Sequence, residues 1–207
     1  MPPSNPTATI ARAAIPFRSR TVRKETLHSV SLALPHVSRG ASVLDVGCGE
    51  GYVIDELARR GLDAQGVDIV DIRRPRSCPF RLYDGQSLPF RDASFDLVML
   101  SFVLHHVPDD RKLRLLQEAI RVSRNKVLVV EDTPVSVVDR LASQRHGETY
   151  RRKIGSTAGF GFLTRDEWRW LFRGMGFEPQ LTPLSRFCRS ILQPFARTAF
   201  LLQRPTP

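Results

Sequence analysis

Two carboxylates bracket a glycine-rich turn in this 207-residue chain: Asp45 precedes Gly47, Gly49 and Gly51, and Asp68 stands 21 positions after Gly47. Glycine removes the side chain where backbone turns sharply or must approach a ligand closely. A carboxylate at this distance beyond such a turn sits where the second strand of a βαβ unit presents an acceptor to a ribose. The glycine spacing is G-x-G-x-G, with Tyr52 where the last glycine of the dinucleotide-binding pattern G-x-G-x-x-G would stand. Further on, His105, His106 and His146 supply imidazoles, whose ordinary pKa of ~6.5 suits proton transfer near neutrality. Glu131 could orient one of them or a substrate. Each histidine could equally serve only to pack or to hydrogen-bond locally, and Cys48, inside the turn, could be no more than a small side chain tolerated there.

The elements that must position these groups follow from the patterning. Val43, Leu44 and Val46 favour a strand, the glycines turn it, and 54–60 reads as a helix. A second strand is predicted over 66–70, a short one over 80–83 and a continuous apolar one over 95–100, typical of a sheet buried on both faces. Helices are predicted over 21–34, closed by Pro35, over 111–122, and from an N-cap at Thr164 with Glu167 three positions on, through Phe172. The strand 127–130 carries Glu131 and Asp132 at its carboxyl end, after a loop at 123–126. Segments 177–181 and 198–202 read as a final antiparallel pair. Strands alternating with helices predict an α/β, Rossmann-like, doubly wound sheet of seven mostly parallel strands with a C-terminal antiparallel hairpin.

The motif Asp45-Val46-Gly47-Cys48-Gly49-Glu50-Gly51 resembles motif I of the class I S-adenosylmethionine-dependent methyltransferases. Leu88-Pro89-Phe90, then Ser94-Phe95-Asp96-Leu97-Val98, then Leu104-His105-His106-Val107-Pro108-Asp109 recur in that order in the family's small-molecule, type 11-like branch. The resemblance runs from about residue 27 to 177 and implies S-adenosylmethionine as methyl donor. It also implies roles: glycine backbone from Gly47 to Gly51, with Cys48, against the methionine portion, and Asp45 on its ammonium. Asp68 would take both ribose hydroxyls and Asp84 the adenine amino group, with Ile69, Gly85, Ser101 and His106 completing the cofactor surface. By itself Asp84 before Gly85 also reads as a turn-forming aspartate. His105 and His146 are the candidate catalytic bases; no metal-ligand spacing is present, and no metal is expected.

Net charge is +10 and unevenly placed. Residues 1–42 hold 6 basic and 1 acidic, 43–149 hold 15 and 17, and 150–207 hold 10 and 3. The presumed cofactor region is nearly balanced, so the flanks carry the field that could meet nucleic acid, anionic lipid or an acidic substrate. No run approaches the ~18 apolar residues of a membrane-spanning helix. Cys48, Cys78 and Cys188 lie far apart, as reduced thiols of a cytoplasmic protein would. Residues 1–16 read as a flexible tail and 17–207 as one domain, with a glycine-bearing, irregular, lid-like insertion at about 133–162. The expectation is methyl transfer to an oxygen, nitrogen or carbon of a small-molecule or lipid-like acceptor. An RNA or protein methyltransferase and a cofactor-binding scaffold without turnover are the alternatives, and the oligomeric state stays open.

Overall fold

The computed structural model describes residues 19–74, 78–154, 161–183 and 196–204. The tail at 1–16 and Cys188 lie outside the described residues. The elements in chain order are α1 (Ser19–Ala33), β1 (Ser42–Val46), α2 (Tyr52–Arg59), β2 (Asp63–Asp68), β3 (Phe80–Leu82), β4 (Phe95–Ser101), α3 (Asp109–Val122), β5 (Ser123–Asp132), α4 (Val137–Ile154), α5 (Arg165–Gly174), β6 (Gln180–Pro183) and β7 (Arg197–Gln203). Single 3-10 turns follow α1 at Leu34–His36 and precede α3 at Leu104–His106.

Seven strands form one sheet in the order β3-β2-β1-β4-β5-β7-β6. The first five run parallel, and β7 is antiparallel to both β5 and β6. The predicted fold class is therefore the observed one. Central strands are apolar on both faces because helices cover both. On one face Val43, Leu97, Met99 and Val130 meet Val30 of α1 and Ile54 and Leu57 of α2. On the other, Leu44, Val98 and Val129 meet Leu115 and Leu116 of α3 and Trp168 and Phe172 of α5. Strand order reverses between β1 and β4, which opens the crevice above their carboxyl ends.

Four local readings need correction. The second strand runs Asp63–Asp68 and not over 66–70: pairing with β1 begins at Asp63, and Ile69 leaves the sheet 60% exposed. Residues 123–126 are not a loop: β5 begins at Ser123, and a shift of register between Phe95 and Leu97 on β4 absorbs the irregular pairing there. Residues 137–154 within the segment read as irregular form an 18-residue helix. Its aliphatic residues gather in the first turn instead of recurring along one face, so no helical period marks it, while Arg, Gln, Glu and Lys supply helix propensity. The penultimate strand starts at Gln180, three residues later than the apolar run beginning at Phe177 suggests, because the segment Gly174 to Phe177 closes α5. The capping box of α5 is formed as read, with Glu167 N donating to Thr164 Oγ1 at 3.3 Å and Thr164 N donating to Glu167 Oε2 at 2.6 Å. Among the described residues no helix is long and apolar enough to cross a membrane.

Candidate functional site

The glycine turn leaves β1 by doubling back over β2. Gly47 N and Cys48 N both donate to Val67 O, at 2.8 and 3.2 Å, and Gly51 N donates to Cys48 O at 2.9 Å to enter α2. Gly47 has φ +72°, and a Cβ there would lie 2.9 Å from Cβ of Val103, in the connection after β4. A side chain at 47 is thus excluded by conformation and by space. Gly49 also has positive φ, +52°, but a Cβ there would meet nothing within 4 Å, so this glycine borders open space. Cys48 is turned the other way, its Sγ 2.7 Å from where a Cβ on Gly66 would stand. Burial, with the charges of Asp45 and Asp68 adding to it, pushes its thiol pKa far up, so Cys48 is a packing residue on β2 and a poor nucleophile.

Asp68 ends β2 beside this turn. Its Oδ2 accepts from Gly49 N at 2.8 Å, and its Oδ1 accepts from Ile69 N at 2.7 Å and Val70 N at 3.4 Å. Burial raises its pKa, and the three amides work against that shift. Asp45 lies on the same face of the sheet, one strand over, because it pairs with Gly66, two residues before Asp68. It is 3% exposed, and desolvation, then the Asp68 charge, pushes its pKa up to about 7.

An electrostatic character follows from these bonds. The amides of Gly47, Cys48, Gly49 and Gly51 all donate within the protein. The turn therefore does not present them to an anion, as a pyrophosphate site does. It presents two carboxylates, a pair that suits a cation and vicinal hydroxyls.

Next to Asp68, Ile69 is 60% exposed, and a Cβ on Gly85 would touch its Cγ2 at 3.4 Å. The loop after β3 is thereby placed against the end of β2. Within it Asp84 is fully exposed, and its Oδ1 accepts from Gln86 N at 2.8 Å and Ser87 N at 3.0 Å. The turn-forming role of Asp84 is thus present, and those amides hold its carboxyl below the usual range. At the end of β4, Ser101 Oγ is buried with no hydrogen-bond partner among the described residues. Such an atom marks a place where a ligand's polar group would be satisfied.

The histidines follow at once. Phe102 takes φ +57°, uncommon for a residue with a Cβ, and turns the chain into Leu104–His106. His105 is 6% exposed, and its Nδ1 lies 2.6 Å from Oε2 of Glu131, itself fully buried. The other oxygen of Glu131 accepts from Leu104 N at 2.7 Å. Burial alone would lower the His105 pKa, and Lys112 works in that direction too; the Glu131 charge and hydrogen bond, with Asp132 behind them, outweigh both and raise it. Phe162 stacks on the His105 ring with centroids 4.9 Å apart, and His106 lies tilted against it at 4.1 Å. His146 falls on α4, and its side chain lies outside the described residues. Among the described residues no group of three metal-ligating side chains is placed to hold an ion.

Sequence reasoning missed a buried cation beside this crevice. Arg197, at the start of β7, donates from Nε to Asp132 Oδ1 at 2.9 Å and from Nη2 to Glu25 Oε1 of α1 at 3.2 Å. Its guanidinium carbon sits 4.5 Å from the centroid of the Phe102 ring. The signal in the sequence was an arginine two positions before the apolar run Ala199-Phe200-Leu201-Leu202. Lys112, also buried, bonds Asp109 within α3 and joins that helix to the returning segment through Gly161 O at 3.0 Å.

Residues 18–181 match the family described as "Methyltransferase domain". An uncharacterised methyltransferase of Mycobacterium sp. strain JLS is 35% identical over 133 residues, 56% of this chain and 52% of the relative. The tRNA (carboxymethyluridine(34)-5-O)-methyltransferase alkbh8 of Xenopus tropicalis is 36% identical over 95 residues, 44% of this chain and 15% of that protein. The chain thus spans about half or less of the curated relatives it matches. In fold it is similar to magnesium protoporphyrin IX methyltransferase of Synechocystis PCC 6803, solved with bound S-adenosylhomocysteine: TM-score 0.65, 15% identity, covering 89% of this chain and 84% of that one. With the family match spanning most of its length and the sheet order that places Asp45, Asp68 and Ser101 on one crevice, the chain belongs to the class I S-adenosylmethionine-dependent methyltransferases.

Proposed function

We propose that this protein transfers a methyl group from S-adenosylmethionine to a small-molecule or lipid-like acceptor. The observation that carries the cofactor in this reading is the glycine turn, with the amides of Gly47, Cys48, Gly49 and Gly51 spent and two carboxylates, Asp45 and Asp68, on one side of the sheet. The residues fit the cofactor: Gly49 borders open space, Ser101 Oγ is buried without a partner among the described residues, and both carboxylates can receive its polar groups. In this reading Asp45 holds the ammonium, Asp68 the ribose hydroxyls and Asp84 the adenine amino group, while Ile69 and Gly85 bound the ring. Gly47, Cys48 and Gly51 shape the turn, and Ser101 and His106 close the inner wall.

Bound there, S-adenosylmethionine supplies a methyl already activated by its sulfonium, so what remains for the chain is orientation and exclusion of water. His105 is our candidate to take the acceptor's proton, with Glu131 fixing its Nδ1 and so the orientation of the ring. His146 is a second candidate base. Residues 133–162, which return through Phe162 onto His105, act as the cover over the acceptor.

A second reading, methylation of a tRNA, is favoured by the likeness to the Xenopus tropicalis enzyme and by the basic flanks. Calorimetric titration with S-adenosylmethionine, S-adenosylhomocysteine and NAD tests the cofactor: the first two should bind at micromolar concentration and NAD should not. Binding of NAD alone would overturn the proposal. RNA binding that falls steeply with added salt would move the acceptor to the second reading.

A further inference from the structure

The opening of α4 offers an aliphatic surface to solvent. Val135 is 61% exposed, Val137 75%, Val138 74% and Leu141 61%. Four branched aliphatic side chains within seven positions make a contiguous patch of a kind that marks an interaction surface. Ser143, two residues on, is buried, so the helix lies on the body of the protein and its first turn faces outward. This turn starts five residues beyond Asp132, at the carboxyl edge of the sheet, the edge on which the crevice of Asp68 and Ser101 opens.

The charges around the patch identify its occupant. Arg140, 47% exposed, lies 3.9 Å from Glu167, Arg145 is exposed, and in the helix sequence Arg151, Arg152 and Lys153 outnumber Glu148. The one acid in this turn, Asp139, is drawn back onto the loop before it, with Val135 N donating to its Oδ2 at 3.3 Å and its own N donating to Ser136 Oγ at 3.1 Å. The chain as a whole carries +10. Aliphatic side chains bordered by cations match the surface of an anionic bilayer, where acyl chains receive the former and phosphates the latter. The four exposed side chains are valines and a leucine, residue types under-represented among protein-recognition hot spots.

We propose that residues 135–141 dock the protein on anionic phospholipid bilayers and bring the mouth of the crevice to the membrane surface. The inference does not rest on the cofactor assignment, since a protein that bound no S-adenosylmethionine would still carry this patch. The test is co-sedimentation of the full chain with vesicles of phosphatidylglycerol and phosphatidylcholine, and with vesicles of phosphatidylcholine alone. Binding to the first, weakened by salt and reduced at least about tenfold in a Val137→Ser, Val138→Ser, Leu141→Ser variant, is expected.

Because these positions are exposed, the variant should keep the wild-type melting temperature. If it does not, hydrogen exchange of the wild type with and without vesicles decides the matter, through protection concentrated at 135–141. Failure of the wild type to bind anionic vesicles, or binding indifferent to the substitutions in a folded variant and to the exchange pattern, would overturn the proposal. So would concentration-dependent self-association lost in the same variant, or salt-sensitive RNA binding without vesicle binding.

Discussion

Arg197 and Asp132 face one another across β7 and β5, paired in register and joined at 2.9 Å, with both side chains 6% exposed. The remaining reach of the guanidinium goes to Glu25, so a single cation ties α1 to the carboxyl end of the sheet and covers Phe102. Removing one partner of a buried ion pair costs about 3–5 kcal/mol, because the other charge is left uncompensated. Arg197→Met should lower stability by about that amount in urea denaturation. Glu25→Gln, at a partly exposed position, should cost under about 1 kcal/mol globally, yet speed amide exchange in α1 alone.

The pair of His105 and Glu131 should show in the pH dependence of folding. The His105 pKa is raised in the folded state, so its stabilisation is complete below the unfolded value of ~6.5 and is lost as pH rises through the folded one. Glu131→Gln keeps an oxygen for Leu104 N but withdraws the charge. In the variant, nuclear magnetic resonance titration should find His105 below the ordinary imidazole range, since burial and Lys112 are then opposed by Asp132 alone. The expected stability cost is about 1–3 kcal/mol.

Asp68 serves both the turn and, in our proposal, the ribose. Asp68→Ala should reduce S-adenosylmethionine affinity by about a hundredfold or more, near 3 kcal/mol, as read by calorimetry. Asp68→Asn retains an acceptor for Gly49 N and should keep the wild-type melting temperature within about 1 kcal/mol equivalent, while still losing most of the affinity.

Asp45 gives the site a pH signature. With a folded pKa of about 7 against an ordinary 3.8, its proton is held more tightly in the folded state. Stability from this group is therefore present at acid pH and declines as pH rises through 7, by at most about 4 kcal/mol. A bound ammonium would stabilise the ionised form, so cofactor affinity should rise with pH up to about 7 and then level, with a proton released on binding. Asp45→Asn should abolish both slopes, measured by denaturation and by calorimetry in buffers of different ionisation enthalpy.

Gly47→Ala meets two obstacles: a left-handed backbone, costing about 1–2 kcal/mol, and the side chain of Val103. Pairing it with Val103→Ala should recover only the second part. A double-mutant cycle read by thermal denaturation separates them.

What the sequence determined is what local chemistry can write in order along the chain: the strand, glycine turn and helix around Asp45, the carboxylate at Asp68, the apolar runs at 95–100 and 127–130, and the capping box at Thr164. Periods of two and of 3.6 and turn-forming residues are readable because each depends on neighbours within a few positions. The α4 helix escaped because Val137, Val138 and Leu141 in its first turn are exposed, so burial wrote no period there. Tertiary structure alone decided the rest. Glu25, Asp132 and Arg197 are separated by up to 172 positions, and only the insertion of β7 antiparallel beside β5 brings them together. The pairing of His105 with Glu131 likewise depends on the parallel register of β4 with β5, as the spent amides of the glycine turn depend on Val67 and Asp68 of a neighbouring strand. Long-range hydrogen bonds leave no local trace in composition, so the charge and proton chemistry of the crevice had to await the fold.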